Sequence, residues 1–136
     1  MTEERIFIDT SILILASKAI ESEVRDKAIA ELDRDVTFLS SRIVRLETIP
    51  QPTLNNRPEQ VGFLEDFFAG SEMIECTDVI QRLALLEACK SPGQTAADAL
   101  HIACAIAGAA TEIVCAEKST STMPQYKGQI PVRTVF

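Results

Sequence analysis

Apolar and polar residues fall in short blocks along this chain, and the blocks switch repeatedly between strand-like and helix-like periods. Arg5 to Ile8 reads as a short strand that ends at Asp9, Thr10 and Ser11, residues suited to turns and helix N-caps. Ile12 to Ser17 predicts a short helix. Ile20 to Leu32 is rich in Ala, Glu, Lys and Arg and predicts an amphipathic one. Asp33 to Asp35 turns the chain into a second strand, Val36 to Leu39. Ser40 and Ser41 cap a helix over Arg42 to Thr48. Pro50 and Pro52 end it, leaving Gln51 to Arg57 as a loop. Pro58 opens a helix reaching Phe68, closed by Gly70 and Ser71. Met73 to Cys76 is a third strand. Thr77 caps a helix from Asp78 to Lys90, which Ser91, Pro92 and Gly93 break. The next helix, Thr95 to Ala110, carries Ala, Cys, Leu and Ile on nearly every face, so it belongs at the centre of the fold. Glu112 to Ala116 is a fourth strand, a polar stretch from Glu117 to Ser121 follows, and Pro131 to Val135 is a last strand.

Strands alternating with helices predict an α/β fold with a mostly parallel sheet covered on both faces. The 136 residues suit one domain, 1–136, with no repeat or linker, and can bury a core unaided by disulfides. Without Trp and with few aromatics, that core must be aliphatic. The formal charge of −7 argues against a basic nucleic-acid coat. It does not exclude a nuclease, because carboxylates that hold metal ions count as negative in this sum. Cys76, Cys89, Cys104 and Cys115 form no C-x-x-C pair, and His101 is the single histidine, which disfavours a zinc site. Met1 to Arg5 is charged and the apolar run after it is short. The expectation is a cytoplasmic protein with no export signal, no membrane span and buried, reduced thiols.

Four carboxylates stand where folding does not require one. Asp9 follows the first strand, and ligands of open α/β sheets gather beyond strand carboxyl ends. The alternative is an N-cap made by Asp9 or Ser11. Glu47 lies late in its helix, where a negative charge gains nothing from the helix dipole. It is either functional, solvated, or paired with a nearby Arg. Asp98 sits in a helix of small apolar residues and is costly to bury unless paired or metal-bound. A first-turn position and a pair with His101 at i+3 are the alternatives. Glu117 again falls just past a strand, or is a surface loop residue. Together the four suit a hard divalent ion, Mg²⁺ or Mn²⁺, which takes oxygen ligands.

These segments resemble the PIN domain family. Ile6 to Leu13, with Asp9-Thr10-Ser11 after an apolar strand, resembles its opening motif; Ser41 to Glu47 resembles the second; Thr95 to Ala105, with Asp98-Ala99-Leu100-His101, resembles the third. The resemblance covers nearly the whole chain. It implies a three-layer α/β/α fold around about five strands and a metal-dependent endoribonuclease, often the VapC-like toxin of a type II toxin–antitoxin pair. By carry-over, Asp9, Glu47 and Asp98 hold the metal, with Thr10 or Ser11 in support. The fourth motif departs: Cys115-Ala116-Glu117 stands where the family shows Thr-x-Asp or Asn. Either Glu117 reaches the ion, or three carboxylates suffice and Lys118 or Ser119 contacts phosphate. RNA as substrate, a small antitoxin and a homodimer complete what the family implies; the early Ile- and Leu-rich helices either supply the dimer surface or, residue by residue, are ordinary core. Two other functions stay open: a PIN module that binds protein or RNA without cutting, and a different phosphoryl-transfer or receiver-like α/β protein. No Gly-rich phosphate loop supports the latter.

Overall fold

The computed structural model describes residues 3–136; Met1 and Thr2, the start of the charged N-terminal segment, lie outside the described residues. Five strands form one sheet: β1 (Arg5–Ile8), β2 (Thr37–Ser41), β3 (Glu72–Ile74), β4 (Glu112–Cys115) and β5 (Val132–Thr134), in the order β3-β2-β1-β4-β5. Every pairing is parallel, with Phe7 opposite Leu39 on one side and Ile113 on the other. Successive residues of a strand face opposite sides of the sheet. Ile6, Phe7 and Ile8 are all fully buried, so helices cover both faces and the architecture is three-layered. The chain first builds outward from β1 to β2 and β3, then returns to place β4 and β5 on the other side. The strand order therefore reverses between β1 and β4, and in open α/β sheets ligands gather beyond the strand carboxyl ends at such a reversal.

The helices are α1 (Thr10–Ser17), α2 (Glu23–Leu32), α3 (Arg42–Thr48), α4 (Pro50–Leu54), α5 (Pro58–Ala69), α6 (Asp78–Lys90) and α7 (Ala96–Ala107). Caps set several starts: Ser22 accepts from Arg25 N, Ser41 from Val44 N, Thr77 from Ile80 N and Thr95 from Asp98 N. The central helix is α7, whose Ala99 and residues 101–105 are buried, with His101 packed 5.8 Å from the Phe7 ring.

Several expectations change in detail. The loop expected at Gln51 to Arg57 contains α4, because prolines fit the first turn of a helix, where an N–H has no partner to lose. The preceding helix still ends at Thr48 as expected, and Pro50 and Pro52 also start a new turn. Residues Ile20 to Ser22 stay outside α2, since the Ser22 cap fixes its start at Glu23. The reading of the early Ile and Leu as core holds for Ile12 and Leu13, which are fully buried, whereas Ile20 is exposed. Among the thiols, Cys104 and Cys115 are buried, whereas Cys89 is exposed and Cys76 half-buried, so the expectation of four buried cysteines holds for two.

Candidate functional site

The carboxyl ends of β1 and β4 gather the acidic residues. Asp9 leaves β1 with its N–H donating to Val114 O of β4 (2.9 Å) and then caps α1. Its Oδ2 accepts from the Ser11 hydroxyl (2.5 Å) and from Ser11 N (3.2 Å). Ser11 Oγ in turn accepts from Ala116 N (2.8 Å), so one hydroxyl links Asp9 to the exit of β4. Glu117 follows directly, with Oε2 buried and without a hydrogen-bond partner.

Glu47 reaches the same edge from the last turn of α3. Its Oε1 accepts from Thr10 Oγ1 (2.9 Å) and from His101 Nε2 (2.6 Å). A carboxylate only accepts, so Nε2 carries the proton in this bond. His101 is 1% exposed and its Nδ1 has no partner. Asp98 enters from the first turn of α7, with Oδ2 accepting from Thr122 Oγ1 (2.8 Å). The pairing of His101 with Asp98 is therefore replaced: His101 points inward to Glu47 and Phe7, and Thr122 takes the Asp98 oxygen.

The electrostatics follow from this convergence. Burial pushes the Asp9 carboxyl up, against the Ser11 bonds and the attraction of His101, and nearby Asp98 pushes the same way as burial. Burial also raises Glu117, and Asp9 and Asp98 raise it further. Glu47 is held low, first by the bond from His101. Three of the four carboxylates thus repel one another, while the fourth, Glu47, is stabilised by its hydrogen bonds. The set is all-oxygen, which suits Mg²⁺ or Mn²⁺, and the unpartnered Glu117 oxygen is the kind of atom a cation satisfies. Among the described residues, no group of three or more acidic, His or Cys side chains stands close enough to hold an ion as it is.

A family model described as the PIN domain matches residues 6–118. The chain belongs to that family. No curated protein sequence matches it. Among solved structures, a toxin–antitoxin complex from Klebsiella pneumoniae aligns with TM-score 0.73 at 17% identity, covering 96% of this chain and 98% of that one. VapBC2 from Rickettsia felis, bound to a promoter DNA fragment, aligns with TM-score 0.71 at 15% identity, covering 96% and 98%. VapC20 from Mycobacterium tuberculosis, a Sarcin-Ricin loop cleaving toxin, aligns with TM-score 0.66 at 16% identity, covering 93% and 99%. At these identities the likeness shows a shared fold.

In this PIN domain the structure brings Asp9, Asp98 and Glu117 within each other's field and joins Thr10 and Ser11 to Glu47 and Asp9. A wide separation of Asp9 and Asp98 would have revived the receiver-like alternative; instead each lies within the other's field. Lys118 and Ser119 are exposed on the loop after Glu117 and make no side-chain hydrogen bond to these carboxylates among the described residues. Two partners escaped sequence reasoning. His101 as the holder of Glu47 had one signal, a lone polar ring in an apolar helix; Thr122 had none. The thiols of Cys104 and Cys115 are pushed up to about 11 by burial, so they stay protonated and unreactive. Among the described residues, no helix is long and apolar enough to cross a membrane.

Proposed function

We propose that this chain is a divalent-metal-dependent endoribonuclease that hydrolyses RNA phosphodiester bonds as the toxin of a toxin–antitoxin pair. The observation that carries the reading is the convergence of Asp9, Glu47, Asp98 and Glu117 at the strand-order reversal, with Asp9 and Glu117 pushed up by burial and by like charge. Such an arrangement weakens a fold, and a ligand cation repays it. The toxin reading draws on the fold shared with VapC20 and with toxin–antitoxin complexes.

Asp9, Glu47 and Asp98 would hold the ion. When bound, the ion polarises a phosphoryl oxygen and makes its water a stronger nucleophile. Ser11 keeps Asp9 in place, Thr10 and His101 orient Glu47, and Glu117 is the proposed acceptor for the proton of the attacking water. Lys118 and Ser119 are proposed contacts for phosphate. A small antitoxin and a homodimer complete the proposal, with the dimer surface lying outside Ile12 and Leu13.

Calorimetric titration of Mn²⁺ into wild type and Asp98→Asn, each checked for folding, tests the assignment. Wild type is expected to bind, and the variant to lose both binding and RNA cleavage. RNA cleavage that survives Asp98→Asn in a clean preparation would refute it. One observation favours a second reading, a PIN module that binds a partner without cutting: Glu47 is already tied to His101 and Thr10. A well-folded wild type that takes up no Mn²⁺ selects that reading.

A further inference from the structure

The connection from β4 to β5 runs over residues 116–131 without a regular element and is pinned by its own side chains. Met123 is fully buried, Tyr126 is 3% and Ile130 6% exposed. The Tyr126 hydroxyl donates to Glu87 Oε2 (3.0 Å) and Gln129 Nε2 donates to Glu87 Oε1 (2.8 Å), which fastens the strap to α6 through a buried carboxylate. Thr122 precedes the Met123 plug. Its carbonyl accepts from Gln94 Nε2 (2.8 Å) and its hydroxyl donates to Asp98 Oδ2 (2.8 Å). Thr122 is thus held at three points: through the neighbouring plug, at its carbonyl and at its hydroxyl. No hydrogen bond reaches Asp98 Oδ1 among the described residues.

We propose that Thr122 is a positioning residue that occupies Asp98 Oδ2 and leaves Oδ1 for a divalent ion, favouring Mg²⁺ or Mn²⁺ over Ca²⁺. The inference rests on the metal site proposed above and names what sets its ion preference. Mg²⁺ demands compact octahedral geometry and binds carboxylates through few oxygens, whereas Ca²⁺ takes more ligands and accepts both oxygens of one carboxylate. An Asp98 with one oxygen engaged serves the first ion and handicaps the second. Groups that orient ligands in this way commonly set about 10–100-fold in metal affinity. The 122 position lies past the segment matched by the family model, and 24 residues separate it from Asp98 along the chain.

The test is calorimetric titration of Mn²⁺, Mg²⁺ and Ca²⁺ into the full chain as wild type, Thr122→Val and Thr122→Ser. Thr122 is exposed, so Val leaves no cavity; thermal melts verify each fold, and Thr122→Ala substitutes for Val if Val does not fold. Thr122→Val is expected to weaken Mn²⁺ and Mg²⁺ binding by about tenfold, to change Ca²⁺ binding less, and to be rescued by Ser. A folded Val variant with wild-type affinities and ion preference overturns the positioning role and leaves the metal site standing. A Ser variant as weak as Val also overturns it, assigning the effect to the methyl group. A wild type that binds none of the three ions overturns the metal site and this role with it.

Discussion

Asp9 is 4% exposed with one oxygen held by Ser11, and burial still raises its carboxyl above the ordinary range. A folded-state pKa above the unfolded one stabilises the fold below the unfolded value, about 3.9, and that stability is lost as pH rises through the folded value. At neutral pH the Asp9 carboxyl therefore weakens the metal-free chain. Asn keeps the acceptor for Ser11 and caps helices as well as Asp. Asp9→Asn is expected to melt about 2–5 °C above wild type at pH 7 in chelator, with the gain disappearing near pH 4. A melting temperature equal to or below wild type across that range would mean that the Ser11 and His101 contacts fully offset the burial. The same residue illustrates what was legible. Its place after an apolar strand could be read directly, because strand ends are local. Whether it caps a helix or meets other carboxylates could not, and it does both: it caps α1 within the field of Asp98 and Glu117.

The end of α7 shows how an element is decided by its neighbours. Small apolar residues continue to Ala110, yet the helix stops at Ala107, three residues early. Ala109 adopts the left-handed conformation (φ 55°), and Ala110 N donates back to Ala105 O (2.9 Å) to close the last turn. Glycine, usual at such a left-handed position, stands one residue before it. A Cβ on Gly108 would meet Ile74 Cδ1 at 2.9 Å and Leu39 Cδ1 at 3.1 Å, so close packing on β2 and β3 explains that glycine. Its carbonyl also accepts from Arg5 Nε (3.0 Å) and Nη2 (2.8 Å). Ala109→Gly is expected to stabilise the chain by about 1 kcal/mol, by relieving the left-handed backbone. Gly108→Ala is expected to destabilise it by about 1–3 kcal/mol through overpacking. Urea unfolding of both variants checks the pair; the reverse order would show that conformation, not packing, governs position 108.

At the scale of the molecule, one charge network ties the far side of the sheet together. Glu31 of α2, only 7% exposed, accepts from Arg34 Nη1 (2.6 Å) and Arg133 Nη2 (2.7 Å), and Arg133 also grips Glu112 (2.8 Å). Burial pushes Glu31 up, but the bonds from Arg133 and Arg34 outweigh it and leave its carboxyl below the ordinary range. A depressed folded pKa gives stability that is present above the unfolded value, about 4.3, and lost as pH falls through the folded one. Glu31→Gln is expected to lower stability at pH 7 by about 1–2 kcal/mol, less than a fully buried pair, because both arginines reach solvent. The difference from wild type should shrink below pH 4. Melting curves from pH 3 to 7 test this, and a difference that stays constant with pH would remove Glu31 ionisation as its source.

The sequence by itself determined the order of strands and helices, the central place of the Thr95–Ala110 segment and the four acidic positions, because hydrophobic period, caps and strand ends are written in neighbouring residues. Two prolines misled it at α4, since proline marks both the end of one helix and the start of another. Only the tertiary structure decided the strand order, its reversal between β1 and β4, and the partners of each carboxylate. Glu47 with His101 and Asp98 with Thr122 are separated by 54 and 24 residues, and no local pattern links them. Which side chains meet across such distances depends on how the helices pack on the sheet, a property of the whole fold that short-range periodicity does not encode.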